Sequence, residues 1–169
     1  KPIPIELLVA QVVSRARRAR ALASGLTRDG LTGLLRQDDA RQRLNAAVAR
    51  AATRERPLCA AIIDLDHFKR VNDTYGHAAG DAVLRALANT LRSRLRGSDF
   101  AGRMGGEEFL VVLEDCSDTD ALALLDRMRR DFAAVGFEAS GALWHCTFSA
   151  GVALLQRGEP GSTLLERAD

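Results

Sequence analysis

The stretch Leu58-Cys59-Ala60-Ala61-Ile62-Ile63-Asp64-Leu65-Asp66 is a run of apolar residues that ends in acids. A short continuous apolar run of this kind, entered after Pro57, is typical of a buried β-strand. The acids stand where the strand ends and a helix begins, so carboxylate oxygens and free backbone N–H groups meet at one edge of the sheet. An edge of that kind can hold a metal ion and phosphate groups together.

The segments on either side of this strand alternate between helical patterns and further apolar strands. Helices are predicted over residues of about 38–53, 68–75, 80–95 and 119–134. Further strands are predicted over 100–104 and 109–113, with one more inside 144–155. This order of elements predicts an α/β (α+β) sandwich, with a central, mostly antiparallel sheet and surrounding helices.

The first 26 residues have their own pattern. Apolar residues recur there at helical spacing, at Leu8, Val12, Ala19, Leu22 and Leu26. Two interpretations stay open: a helix that packs on its own domain, or a short coiled-coil linker from an upstream unit. The turn formers in Asp29-Gly30-Leu31-Thr32-Gly33 place a domain boundary near residue 27.

Bulk composition excludes several classes of protein. The length of 169 residues fits one domain with an appendage, and the net charge of +2 is too small for nucleic acid as the main ligand. The three cysteines lack the spacing of a zinc site, which favours reduced thiols in a cytoplasmic protein. No apolar run approaches the roughly 20 residues that span a bilayer, so no membrane segment is expected.

A second acidic cluster follows in Gly105-Gly106-Glu107-Glu108, at the reversal of a predicted hairpin. Paired glycines let the backbone approach a ligand closely. Magnesium takes one or two carboxylates plus phosphate oxygens, and two such ions about 4 Å apart can activate a hydroxyl and neutralise a leaving phosphate. If the hairpin brings Glu107 near Asp64, the chemistry is phosphoryl or nucleotidyl transfer. Taken singly, each motif also fits an ordinary exposed turn.

The motifs together resemble one family. Gly105-Gly106-Glu107-Glu108-Phe109 resembles the signature of the GGDEF family in its GGEEF form. The family's other blocks are matched by Asp29-x-Leu31-Thr32-Gly33-Leu34, by Asp64-Leu65-Asp66-His67-Phe68-Lys69, by residues 71–77 and by Gly80-Asp81. The resemblance covers about residues 27–169 and implies a palm-like fold related to nucleotidyl cyclases. It also implies a bacterial diguanylate cyclase that condenses two GTP into cyclic di-GMP and pyrophosphate, with magnesium or manganese, across a homodimer.

The resemblance implies roles for particular residues at the acidic edge. Asp64, Glu107 and the Leu65 carbonyl match the metal ligands, and Glu108 orients the site. Glu107 is also a candidate for deprotonating the attacking hydroxyl, and the sequence leaves its two roles open. Lys69, one of two lysines in the chain, supplies a positive charge to the reaction.

Further positions match the family's GTP contacts. Asn72 and Asp81 match the guanine readers, since an amide and a carboxylate suit the donor and acceptor edge of a purine. Their other interpretations are a turn residue and a helix N-cap. The backbone N–H groups from Asp66 through His67 to Phe68, with Lys69 and Gly106, would surround the phosphates.

A second nucleotide site is implied by Arg96-Gly97-Ser98-Asp99, which matches the family's inhibitory RxxD motif. Arginine can grip a phosphate with two bonds or stack on guanine, and the aspartate can accept from the guanine edge. Arg127 matches a further arginine of such sites. The alternative is an exposed Arg/Asp pair in a loop.

The chain also departs from the family pattern. The opening motif usually continues Leu-x-Asn-Arg, whereas here Arg36-Gln37 stand in place of Asn-Arg. Residues 164–169 resemble the first turns of the last helix, so we expect residues 27–169 to lack that helix and the Lys and Arg that grip the triphosphate.

Beyond the domain, the opening Lys1-Pro2 resembles the end of a receiver domain, which predicts an upstream receiver in a response regulator. Three competing functions stay open: a silent receptor for GTP or cyclic di-GMP, a dimerisation unit, and another nucleotidyl-transfer enzyme.

Overall fold

The computed structural model describes residues 27–139 and 141–169. The predicted linker helix over residues 1–26, and the choice between its two interpretations, lie outside this range. In chain order the elements are α1 (Gln37–Arg54), β1 (Leu58–Leu65), α2 (Phe68–Tyr75), α3 (His77–Arg94), β2 (Phe100–Arg103), β3 (Glu108–Glu114), α4 (Asp118–Ala133), β4 (Phe137–Ala139), β5 (Ala142–Trp144), β6 (Phe148–Leu154) and α5 (Gly161–Ala168).

The main sheet has four strands in the order β2-β3-β1-β6, and every neighbouring pair is antiparallel. The apolar strand β1 therefore lies inside the sheet, with β3 on one side and β6 on the other. Its register brings Asp64 opposite Glu108 of β3 and opposite Ser149 of β6. The predicted antiparallel sheet with surrounding helices is confirmed.

Both faces of the sheet are covered, because alternate residues of a strand point to opposite sides. Cys59, Ala61 and Ile63 face a core shared with α2, α3 and α4, and Leu58 and Ala60 face a second core shared with α1 and α5. The largest fully buried side chains of the two cores include Phe109, Phe132, Phe148, Leu44, Leu87, Leu110 and Met128. The chain therefore forms three layers, with the sheet in the middle.

The hairpin of β4 and β5 was not predicted from the sequence. Its strands have three residues each, which is too short for a periodic pattern, and its turn contains Gly141 at a φ of 77°. Trp144 stacks between Tyr75 and Phe137, with ring centroids at 4.6 Å and 4.9 Å. The strand expected inside 144–155 is β6, which begins at Phe148, so His145 lies in the link after β5 and is exposed.

The three cysteines are free thiols, as expected. Cys59 and Cys146 are buried and Cys116 is half-buried. Burial, followed by the nearby Cys116 and Asp118, raises the pKa of Cys59 to about 12, so its thiol stays protonated at neutral pH. Among the helices of residues 27–139 and 141–169, none is long and apolar enough to cross a membrane.

Candidate active site

The acidic edge of the sheet is formed by Asp64, near the end of β1, and by the turn that leads into β3. Burial raises the pKa of Asp64, and the charges of Asp66 and Asp169 raise it further. Burial also raises the pKa of Glu107, with added contributions from Asp64 and Glu108. Repulsion of this kind disfavours ionisation, so a cation bound between the carboxylates would be favoured.

The donor set at this edge fits a magnesium ion. Asp64 and Glu107 are the two carboxylates, which is the number that magnesium takes beside phosphate oxygens. Leu65 follows Asp64, and since its hydrocarbon side chain has no ligand atom, only its carbonyl oxygen could contribute. Within the part of the chain that the structure describes, no group of three or more His, Cys, Asp or Glu side chains is arranged to bind a metal. Further oxygens would therefore have to come from main chain, water or substrate.

The Gly105–Glu108 turn is held by Arg103, a residue that the sequence analysis did not single out. The Arg103 guanidinium donates to the Gly105 carbonyl at 3.1 Å and to the Gly106 carbonyl at 2.7 Å. The Met104 N–H donates to the Glu108 carbonyl at 2.8 Å and closes the hairpin. Both glycines are exposed, so ligand could approach their backbone.

The same Arg103 reaches the opening motif of the domain. Its Nη1 lies 3.3 Å from Asp29 Oδ1, which also accepts from the N–H and hydroxyl of Thr32 at 2.8 Å and 2.6 Å. Burial raises the pKa of Asp29, but the Thr32 hydrogen bonds and the Arg103 charge together hold it below its usual value. The Asp29 carboxylate is therefore a fixed anchor for Arg103.

The turn between β1 and α2 contains the predicted phosphate contacts. His67 has a left-handed conformation, with φ of 58° and ψ of 30°. Successive N–H groups on either side of such a residue form an anion-binding concavity. The Asp66 N–H was expected to join them, but it donates to the Thr147 carbonyl at 3.0 Å. This corrects the expected set of free donors to His67 and Phe68, which is followed by an exposed Lys69 on α2.

The two predicted guanine readers lie on either side of the junction between α2 and α3. Asn72 lies on α2, and its side-chain oxygen packs directly against the backbone of Gly80 on α3. Asp81 follows Gly80 and lies 3.6 Å from Arg85, one turn along the same helix. The Asn72 amide on α2 therefore packs against the residue that immediately precedes Asp81 on α3.

The three residues predicted for the second site line one cleft of about 450 Å³, beyond the far end of β3. Arg96 and Arg127 are exposed, whereas Asp99 is 9% exposed. The Asp99 carboxylate accepts from the Arg96 N–H at 3.0 Å and from the Glu114 N–H at 3.2 Å. Asp99 therefore stabilises its own loop, while the side chains of the two arginines are accessible to a ligand.

The two sites stand at opposite ends of β3, since Glu108 begins the strand and Glu114 ends it. A strand of seven residues spans about 20 Å. A ligand in the Arg96 cleft would therefore not touch the acidic edge of the same domain.

The fold and the site together define a class of protein. In these α+β domains, acidic side chains and a glycine turn lie at one edge of an antiparallel sheet. Residues 26–169 match the family described as "Diguanylate cyclase, GGDEF domain", and the chain belongs to that family. The resemblance seen in the sequence motifs is thereby confirmed.

Individual relatives agree with this assignment. The chain is 40% identical over 172 residues to diguanylate cyclase DgcP of Pseudomonas aeruginosa, covering 98% of this chain and 26% of that protein. It is 36% identical over 183 residues to the response regulator PleD of Caulobacter vibrioides, covering 100% of this chain and 40% of that protein. The chain thus spans between a quarter and two fifths of the length of these relatives.

Among solved structures, the fold is similar to the GGDEF domain of DgcB from Caulobacter crescentus, determined in complex with c-di-GMP. The TM-score is 0.82 at 33% sequence identity, covering 85% of this chain and 84% of that one. At this level of identity the likeness extends beyond the fold to the family.

Proposed function

We propose that this domain is a diguanylate cyclase, which joins two GTP molecules into cyclic di-GMP and releases two pyrophosphates. The observation that carries the proposal is the acidic edge, where Asp64 lies opposite Glu108 in the strand register and next to the Gly105–Gly106 turn. Carboxylates grouped in this way suit a cation that bridges phosphate oxygens. The diguanylate cyclases among the relatives support the same reaction.

One GTP would occupy each domain. Asn72 and Asp81 would read the guanine edge, and the N–H groups of His67 and Phe68 would bind the terminal phosphates, with Lys69 adding a positive charge. The exposed Gly106 lets the sugar and α-phosphate approach the turn. Asp64, Glu107 and the Leu65 carbonyl would hold magnesium or manganese, which when bound supplies charge neutralisation and lowers the pKa of the attacking hydroxyl.

The reaction needs two domains face to face, because one half-site holds a single nucleotide. The 3′-oxygen of one GTP forms a bond to the α-phosphorus of the other, the bond to the bridging oxygen breaks, and pyrophosphate leaves. The hydroxyl proton passes to a carboxylate, for which Glu107 in the exposed turn is our candidate. Glu108 orients this pair from the start of β3. The second attack closes the ring, so the active form is a homodimer.

Regulation would come from the product and from an upstream unit. Arg96 and Arg127 would bind the phosphates of cyclic di-GMP in the cleft beyond β3, which would give product inhibition. Since the response regulator PleD is a relative over the whole of this chain, an upstream receiver domain is the unit we propose for the longer protein.

The test is chromatographic detection of cyclic di-GMP after incubation with GTP and magnesium, with Glu107→Ala as the matched variant. Product from the wild type and at least a hundredfold less from the variant is the expected result, as loss of a metal ligand removes the stabilisation of the leaving phosphate. Absence of product in both, with nucleotide still bound, would favour a receptor over an enzyme.

A further inference from the structure

Asp66 is held at four points by Cys146 and Thr147, which lead into β6, and by Ser149 inside it. Its N–H donates to the Thr147 carbonyl at 3.0 Å, and its own carbonyl accepts from the Cys146 thiol at 3.7 Å. One carboxylate oxygen accepts from the Thr147 hydroxyl, and the other accepts from the Ser149 hydroxyl at 2.7 Å. Both the main chain and the side chain of Asp66 are therefore fixed to the neighbouring strand.

The spacing of the two hydroxyls explains how they reach one carboxylate. Residues two apart on an extended chain point to the same side, so Thr147 and Ser149 present their hydroxyls together. The pairing of Leu65 with Phe148 brings that side next to Asp66, immediately beyond the last residue of β1. A Thr-x-Ser sequence at the start of β6 thus forms a clasp for the residue that opens the β1–α2 turn.

The turn needs such a clasp because His67 has a conformation that a non-glycine residue adopts only under constraint. On its C-terminal side the turn is fixed by buried Phe68 and by the Val71 N–H, which donates to the His67 carbonyl at 3.2 Å. On its N-terminal side the fixed point is Asp66. Release of Asp66 would let the His67 and Phe68 N–H groups turn away from a common centre.

The charge of Asp66 argues against a direct contact with nucleotide. A carboxylate next to bound phosphates would repel them, whereas this carboxylate is occupied on both oxygens by neutral hydroxyl donors. Asp66 therefore acts through the shape of the turn.

We propose that Thr147 and Ser149 are positioning residues for the phosphates of the substrate: by clasping Asp66 they hold the His67 and Phe68 N–H groups in the geometry that binds the β- and γ-phosphates. The inference rests on the proposed function, because it assumes that a guanine nucleotide lies at this turn. Within the part of the chain that the structure describes, the hydroxyls of Thr147 and Ser149 donate to Asp66, so their effect on the phosphates would pass through Asp66.

The experiment compares two ligands on the same chain by titration calorimetry. One is a GTP analogue with a methylene group between the α- and β-phosphorus, which cannot react, and the other is GMP, which lacks the phosphates that the turn would hold. Thr147→Val and Ser149→Ala remove one hydroxyl each, Thr147→Ser restores it, and Thr90→Val removes a hydroxyl from within α3. Thermal unfolding of each variant shows that it is folded.

Each hydroxyl variant is expected to raise the Kd of the triphosphate analogue at least about fivefold while the Kd of GMP changes less than twofold. Thr147→Ser and Thr90→Val should bind both ligands like the wild type. Should Thr147→Val fail to fold, Ser149→Ala at an exposed position still gives the answer. Equal losses for both ligands, or none, would overturn the positioning role. A wild-type chain that binds neither ligand would overturn the proposed function and this inference with it.

Discussion

At the scale of single residues, Arg103 connects parts of the chain that are far apart in sequence. Its guanidinium donates to two carbonyls of the Gly105–Gly106 turn and to Asp29, which lies 74 residues earlier. The planar guanidinium spreads its donors over three nitrogens and can therefore reach acceptors that lie apart, whereas the three donors of a lysine ammonium sit on a single nitrogen. The geometry of the glycine turn therefore depends on a side chain outside the signature.

We expect Arg103→Lys to loosen this turn without removing the positive charge. Loss of the two turn hydrogen bonds should lower the free energy of unfolding by about 1–2 kcal/mol. Hydrogen exchange of the amides in residues 104–108 should become faster, as measured by mass spectrometry. Arg129→Lys is the control, because within residues 27–139 and 141–169 that arginine pairs with Asp126 at the exposed surface of α4. If the exchange rates at the turn were unchanged in Arg103→Lys, Arg103 would not be holding the turn.

At the scale of elements, the junction of α2 and α3 depends on Gly80 having no side chain. A Cβ there would overlap Asn72 Oδ1 and would lie 3.2 Å from the Phe68 ring. Alanine is favoured over glycine inside a helix by about 1 kcal/mol, so helix propensity alone predicts a more stable variant. The overlap acts in the other direction, since overpacking of this kind costs about 1–3 kcal/mol.

We therefore expect Gly80→Ala to displace the Asn72 amide and to weaken GMP binding at least about tenfold, with no gain in thermal stability. Calorimetry with GMP and a thermal unfolding curve measure the two effects. Gly30→Ala is the matched control, because a Cβ at Gly30 would meet nothing within 4 Å. A more stable Gly80→Ala protein with wild-type affinity would show that the helix junction accommodates a Cβ without displacing Asn72.

The secondary-structure elements differ in how well they could be predicted from the sequence. The apolar run of β1 and the long helices were predicted within a few residues, because each has a pattern that repeats over enough positions. The β4–β5 hairpin was missed, because a strand of three residues is too short to show an alternating pattern of apolar and polar residues. Arg103, Thr147 and Ser149 were also missed. The bond from Arg103 to Asp29 and the bonds from Thr147 and Ser149 to Asp66 join residues 74 to 83 positions apart, and no local pattern reports such contacts.

Of the predicted site residues, the structure brings Asp64, Glu107 and Glu108 to one edge, and Asn72 and Asp81 to one helix junction. The partners of Asp66 could not be predicted, because the order of strands decides that β6, rather than β2, lies beside β1. Topology of this kind depends on how whole elements pack, and not on the motif that contains the residue.

At the scale of the whole molecule, the two candidate sites lie at opposite ends of β3. In the second site, Arg96 and Asp99 differ in their exposure and in their contacts. Arg96 is exposed and its side chain faces the cleft, whereas Asp99 is buried and accepts two backbone N–H groups. The motif, one unit in the sequence, therefore separates in the structure into an exposed arginine that lines the cleft and an aspartate that anchors the loop.

This separation predicts different outcomes for two substitutions in the same motif. Arg96→Ala should weaken cyclic di-GMP binding at least about tenfold and leave the melting temperature unchanged, because an exposed arginine is lost together with its bonds to phosphate. Asp99→Ala should lower the free energy of unfolding by about 1–3 kcal/mol, since two backbone donors lose their buried acceptor. Calorimetry with cyclic di-GMP and denaturant unfolding of both variants make the comparison. Equal product affinity in Arg96→Ala would exclude this cleft as the inhibitory site, and an unaltered stability in Asp99→Ala would contradict the anchoring role of Asp99.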